Sequence, residues 1–194
     1  MQNFSALSDE ALLQLVSGSS AARQLLLDLH RQEPHRLARL AEALLASTQA
    51  AEAAEAMMEA SPSRFEPLVA AAAERGPDAF ERFRLWRAVF RRYPGHYRER
   101  IFDAGRQAMA VPDEGQAVEV AVWMTDKFGH EVVPDLVDLM HRREGDGLRV
   151  AALQEAVKVL GPGAVPVAEA ALESGFPALV DAAHQALHRL GAEA

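Results

Sequence analysis

The stretch DGLRVAALQEAVKVLGPGAVPVAEAALESGFPALVDAAHQALHRLG, residues 146–191, decides the fold. Its first sixteen residues read as an amphipathic helix closed by Gly161, and PGAVPVAEAALESG reads as a second helix. FPALVDAAHQALHRLG then repeats the first. Sliding by 30 residues lays Val150, Ala152, Val157, Leu160 and Gly161 on Val180, Ala182, Leu187, Leu190 and Gly191. Sliding back by 32 lays Phe128, Gly129, Val133, Pro134 and Met140 on Leu160, Gly161, Val165, Pro166 and Leu172. A two-helix unit recurring at such a period predicts a stack of helical hairpins.

Within the first helix of each repeat, Val150, Leu153, Val157 and Leu160 fall one or two turns apart, as do Val180, Ala183, Leu187 and Leu190. Both sets predict one inward stripe of period near 3.6. A second row, Ala152/Ala156 and Ala182/Ala186, is small enough for helices to approach across it. The upstream copy places Val118, Ala121, Thr125 and Phe128 in the stripe, with Thr125 as the departure. The closing glycines predict the left-handed conformation that ends helices, and Pro166 suits a first turn.

At LRVAALQEAVKVLGPGAVPVAEAAL and FPALVDAAHQALHRLG, with Arg149 early in the first helix, the chain resembles HEAT-like (armadillo/HEAT-type) repeat proteins. The resemblance covers about residues 112–191. It implies a right-handed α-solenoid of helical hairpins. Proteins of this kind include scaffolds, chaperones of pigment attachment and DNA alkylation-repair glycosylases, so the resemblance informs fold far more than function.

The rest of the chain reads as helices joined by short Gly/Pro turns, about twelve in all, in a single domain over 1–194. Residues 1–111 read as irregular hairpins and 112–191 as the regular repeats. Ser8 with Asp9 and Glu10 signals a helix start, and Gly18 its stop. A helix to about Gln32 follows, and Pro34 opens a third with Leu37, Leu40, Ala41, Leu44 and Leu45 inward. QAAEAAEAMME, residues 49–59, predicts an alanine-rich helix with Glu52, Glu55 and Glu59 on one solvated side. Asp78 caps AFERFRLWRAVFRRYPG, whose Phe83, Trp86, Phe90 and Tyr93 make an aromatic row read as core. Tyr97, Ile101, Ala104 and Ala108 are expected inward on the next helix.

Nothing alternates with period 2, so the fold class is all-α. The absence of cysteine excludes disulfides, thiol catalysis and thiolate metal sites. The opening MQNFSALSDEALLQLV lacks a positive n-region and makes a poor signal peptide. No apolar run approaches the ~20 residues that span a bilayer. A cytoplasmic location without membrane partners is the expectation. Arginine outnumbers lysine by 18 to 2, the signature of GC-rich bacterial coding rather than of a chemistry.

The net charge of −8 is unevenly spread: residues 1–79 carry −5, residues 80–110 carry +5, and residues 111–194 carry −8. The basic segment holds the partner-binding candidates, Arg84, Arg87 and Arg91 on adjacent turns, with Arg92, Arg98 and Arg100 beside them. Guanidiniums in such a row suit bidentate capture of carboxylates or phosphates. The competing reading is a helix face whose arginines pair with neighbouring glutamates. His184 and His188 have a metal-compatible spacing, but Gln185 is not the glutamate of H-E-x-x-H and no third ligand stands near in sequence. Asp135, Asp138 and His141 share a helix face without a nucleophile or cofactor motif beside them. No catalytic residue, metal ligand set or cofactor motif is assigned.

The function expected from these residues is a non-catalytic protein-interaction or adaptor module. It would bind a partner with an acidic surface through its inner helical layer and Arg84, Arg87, Arg91 and Arg98. Weak head-to-tail self-association with the acidic C-terminal repeats is the corollary. The alternative is a nucleic-acid-binding or DNA-repair protein using the same arginine stripe. Overall acidity and the small basic footprint weigh against it.

Overall fold

The structure is a computed structural model that describes residues 4–142 and 145–192. Among the described residues it is entirely helical, with no strand. The chain divides into two compact units, Met1–Ala104 and Gly105–Ala194.

In the first unit α1 is Asp9–Ser17, α2 Ala22–Gln32, α3 Pro34–Leu45, α4 Ala50–Ala60, α5 Pro62–Arg75 and α6 Ala79–Phe90. The division falls within α7, Arg98–Ala108. Local chemistry sets several boundaries. The Ser8 hydroxyl accepts the Ala11 N–H, and the Asp78 carboxylate accepts the Glu81 N–H at 2.8 Å, satisfying first-turn donors that helices leave unpaired. Pro34 and Pro62 begin α3 and α5, where their missing N–H costs nothing.

Each helix of this unit packs on the next, and also on the next but one: α2 on α4, α4 on α6, α3 on α5. The result is two layers, one of even-numbered and one of odd-numbered helices. α4 lies between two neighbours in its layer, and Ala51, Ala53, Ala54 and Ala56 let both approach closely. At the amino end the buried Arg36 holds the chain down. Its guanidinium donates to the carbonyls of Phe4 (2.8 Å) and Leu7 (2.6 Å) and to Asp9 (2.8 Å).

The residues before 112 are more regular than their sequence suggests. Burial in this unit recurs every 32 residues: Leu37, Val69 and Ile101 are all fully inaccessible. The same shift carries buried Ala51, Ala53, Ala54, Ala56 and Met57 of α4 onto buried Phe83, Leu85, Trp86, Ala88 and Val89 of α6. The period is hidden in sequence because side-chain volumes trade places, with Ala51 answering Phe83 and Ala54 answering Trp86. Phe90 and Tyr93 of the predicted aromatic row are half-buried, leaving Phe83 and Trp86 as its core members.

In the second unit α8 is Glu114–Phe128, α9 Val133–Met140, α10 Asp146–Leu160, α11 Val165–Leu172 and α12 Pro177–Leu190. α8, α10 and α12 form one layer; α9 packs on α10, and α11 on α10 and α12. Gly129 and Gly161, one repeat apart, share a backbone (φ 55, ψ −124 and φ 55, ψ −131) followed by a short 3-10 turn and a Val-Pro helix start. Positive φ was expected there, but ψ departs from the left-handed helical value. Of these three closing glycines it is Gly191 that has that conformation, at φ 69 and ψ 24.

The inward stripe holds in part: Leu153, Ala183 and Leu187 are buried, as are Ala121, Thr125 and Phe128 of the upstream copy, but its other members are not. Val150, Val157 and Leu160 are half-buried, as are Val180 and Leu190, whereas the small-residue row is fully buried. Equivalent buried sets are Val120/Ala152/Ala182, Ala121/Leu153/Ala183 and Met124/Ala156/Ala186. Close helix packing selects the alanine face and pushes the bulkier valines to its margin. The buried Thr125 hydroxyl donates to the Ala121 carbonyl at 2.8 Å, which satisfies it within its own helix.

A fourth set, Ala117/Arg149/Leu179, places an arginine in the core. Arg149 is accommodated because its Nε donates to the Arg142 carbonyl at 2.6 Å, it pairs with Asp146, and its guanidinium lies 3.7 Å from the Phe176 ring centroid.

Candidate functional site

The three arginines of the predicted stripe stand together on α6, but they do not project free. They face the glutamates of α4, thirty-two or thirty-six residues earlier in the chain. Arg84 donates to Glu52 at 2.6 Å and reaches Glu81 at 3.4 Å. Arg87 lies 3.7 Å and Arg91 3.1 Å from the same Glu55 oxygen. From the other side Arg23 of α2 approaches Glu55 at 3.8 Å and pairs with Glu59. Arg23, Glu55 and Arg87 are spaced by 32 residues, so the structural period writes an alternating-charge row across α2, α4 and α6. The side of α4 read as solvated is therefore an ion-pair seam, with Glu52 and Glu55 half-buried.

Exposure separates the arginines by role. The Arg84 and Arg87 side chains are 25% and 14% exposed and lie over the rings of Phe80 and Phe83. Arg91 is 54% exposed. Next to it the Arg92 side chain is exposed and has no partner among the described residues. Arg91 and Arg92, with Arg23 opposite, rim a pocket of about 190 Å³ that contains Glu55 and Glu59 and reaches Met58 and Ala88. Three cations meet two carboxylates there, so the pocket keeps a positive excess. Arg98 is exposed at the start of α7 and does not line this pocket. Arg23 was not singled out from sequence; the spacing of 32 to Glu55 is the signal that would have found it.

Two ionisable groups, one in this seam and one on another face of α6, are perturbed. Burial pushes the Glu81 carboxyl up, opposed by the nearby Arg84. The Tyr97 hydroxyl is pushed up to about 12, first because it donates a hydrogen bond to Glu66 and then by burial. Its ring leans on buried Trp86, with centroids 5.3 Å apart, which makes Trp86 part of the core.

The remaining candidates stay apart. His184 and His188 are both exposed on α12, and no cluster of three or more metal-ligating residues occurs among the described residues. Asp135 is occupied by Arg106 at 2.7 Å, while Asp138 and His141 are exposed. Trp123 is half-buried, edge-on to Phe128. No helix among the described residues is long and apolar enough to cross a membrane. No family model, no curated protein and no solved structure matches the chain.

Proposed function

We propose that the chain is a right-handed α-solenoid of HEAT-like hairpins serving as a non-catalytic protein-interaction module. Its grip on the partner is the basic end of α6, where Arg91 and Arg92 meet Arg23 of α2. The observation that carries this reading is the pocket at that end, with its excess of guanidiniums around Met58 and Ala88. Guanidiniums pair bidentately with carboxylates, and an apolar floor accepts the neighbouring side chain, which together describe an acidic protein segment. Arg84 and Arg87 contribute by holding α6 against α4, and Arg98 extends the basic surface beyond the pocket.

The solenoid reading is supported by the layered packing and by burial that recurs every 32 residues. The protein partner is favoured over nucleic acid because Glu52, Glu55 and Glu59 interrupt the arginines, whereas a phosphodiester backbone calls for a continuous cationic track. The −8 carried by residues 111–194 makes weak pairing with a second copy part of the proposal.

Affinity capture from native lysate with wild type and an Arg91→Ala/Arg92→Ala variant tests the reading. The proposal expects a protein partner that is retained by wild type and lost by the variant. A partner held equally by both, or nucleic acid released by nuclease, would overturn it.

A further inference from the structure

A larger groove lies at the opposite end of α6. It has a volume of about 730 Å³ and runs between the α3–α4 turn and the α5–α6 turn. Leu45, Leu68, Ala72 and Leu85 give it apolar walls. Three carboxylates stand along it: Glu42, Asp78 and Glu81. Glu42 is exposed and has no partner among the described residues. Asp78 spends one oxygen on the α6 cap, leaving the other side of its carboxylate open. Glu81 lies deeper, tied to Arg84 and to the Ala51 backbone.

The one cation in the lining, Arg75, is turned back on its own helix, with its Nε donating to the Ala71 carbonyl at 3.1 Å. The groove therefore combines a net negative rim with an apolar interior. A groove of several hundred Å³ in which carboxylates converge beside apolar walls has the size of a binding site rather than of a packing defect. The corresponding groove between the α7–α8 and α9–α10 turns is smaller, about 340 Å³. It is bridged by Arg142 donating to the Met109 carbonyl (2.8 Å) and by Glu114 accepting the Leu148 N–H (2.7 Å).

We propose that this groove binds a short segment of another protein in which an aliphatic residue adjoins a lysine or arginine. The aliphatic side chain enters between Leu68 and Leu85, and the cation meets Glu42 at the rim with Asp78 beside it. Burial of the Glu81 carboxyl fits the same polarity, since a second cation at that depth would stabilise its ionised form. This site is separate from the basic pocket and selects the opposite charge.

The test is two-dimensional NMR of the full ¹⁵N-labelled chain, titrated with an amidated peptide of alternating leucine and lysine and with its leucine–glutamate counterpart. The lysine peptide should move the backbone signals of Ser47, Ala50, Gly76 and Glu81 first, and the glutamate peptide should leave them in place. Glu42→Lys, on an exposed and unpartnered side chain, should weaken binding about tenfold or more while the rest of the spectrum is unchanged. Glu81→Gln should weaken it independently, and Arg91→Ala/Arg92→Ala should bind the lysine peptide as wild type does. Shifts centred on other helices, equal response to both peptides, or full binding by Glu42→Lys would each overturn the proposal.

Discussion

Arg84 Nη2 lies 2.6 Å from Glu52 Oε1, joining residues 32 positions apart and closing the seam between α6 and α4. Arg84 also stands between Glu52 and Glu81, so its charge separates two carboxylates. Arg84→Ala should therefore destabilise by more than the ~0–1 kcal/mol usual for an exposed pair, because it leaves like charges facing each other. Arg91→Ala, at a half-exposed side chain, should fall within that smaller range. Urea denaturation of the two variants checks the order; equal, negligible losses would mean that the seam contributes nothing to packing.

Burial separates two leucines of α10. Leu153 is fully buried, so Leu153→Ala should cost about 2–5 kcal/mol through lost burial and the cavity left behind. Leu160 is half-buried and its truncation should cost distinctly less. Chemical denaturation that ranks Leu160→Ala as the more damaging change would contradict the burial assigned to the two leucines.

Gly161 and Gly163 form a matched pair for the repeat turn. An added Cβ would meet nothing within 4 Å at either, but only Gly161 has positive φ. Gly161→Ala should cost about 1–3 kcal/mol in backbone strain. Gly163→Ala should be neutral or stabilise by up to about 1 kcal/mol, through the unfolded chain. Equal effects on the thermal midpoint would contradict the assigned backbone.

Asp9 gives the amino end a pH dependence. The hydrogen bond from Arg36, assisted by Arg39, holds its carboxyl below the ordinary value of 3.8. A depressed carboxylate contributes stability above its unfolded pKa and loses it as pH falls through the folded one. The loss should thus begin near pH 4 and continue below. Asp9→Asn should flatten that acid limb of the stability profile while leaving the slope between pH 6 and 8 unchanged; an unaltered acid limb would show that the pair does not couple to folding.

Caps and stops were legible because their chemistry is local: Ser8, Asp78 and Pro34 mark helix starts, and Gly161 and Gly191 mark ends. The buried face of α10 was read only in part: Leu153 and the Ala152/Ala156 row are buried, but hydrophobicity ranks Val157 and Leu160 above the alanines, whereas close approach between helices favours alanine. The repeat before residue 112 escaped notice because Ala54 and Trp86 occupy equivalent buried positions without resembling each other. Clustering of Arg84, Arg87 and Arg91 was plain from their spacing. Their pairing with Glu52 and Glu55 depends on α4 and α6 being neighbours in one layer, which residue spacing within α6 does not encode.

The role proposed for the basic end of α6 is to recognise acidic protein. Fluorescence anisotropy at about 0.15 M salt, where the Debye length is ~8 Å, tests it with a labelled glutamate-rich peptide and a labelled single-stranded oligonucleotide. The peptide should bind wild type, weaken as salt rises, and lose about tenfold or more in affinity with Arg91→Glu/Arg92→Glu. Tighter binding of the oligonucleotide, or peptide binding that the double variant leaves unchanged, would contradict that role.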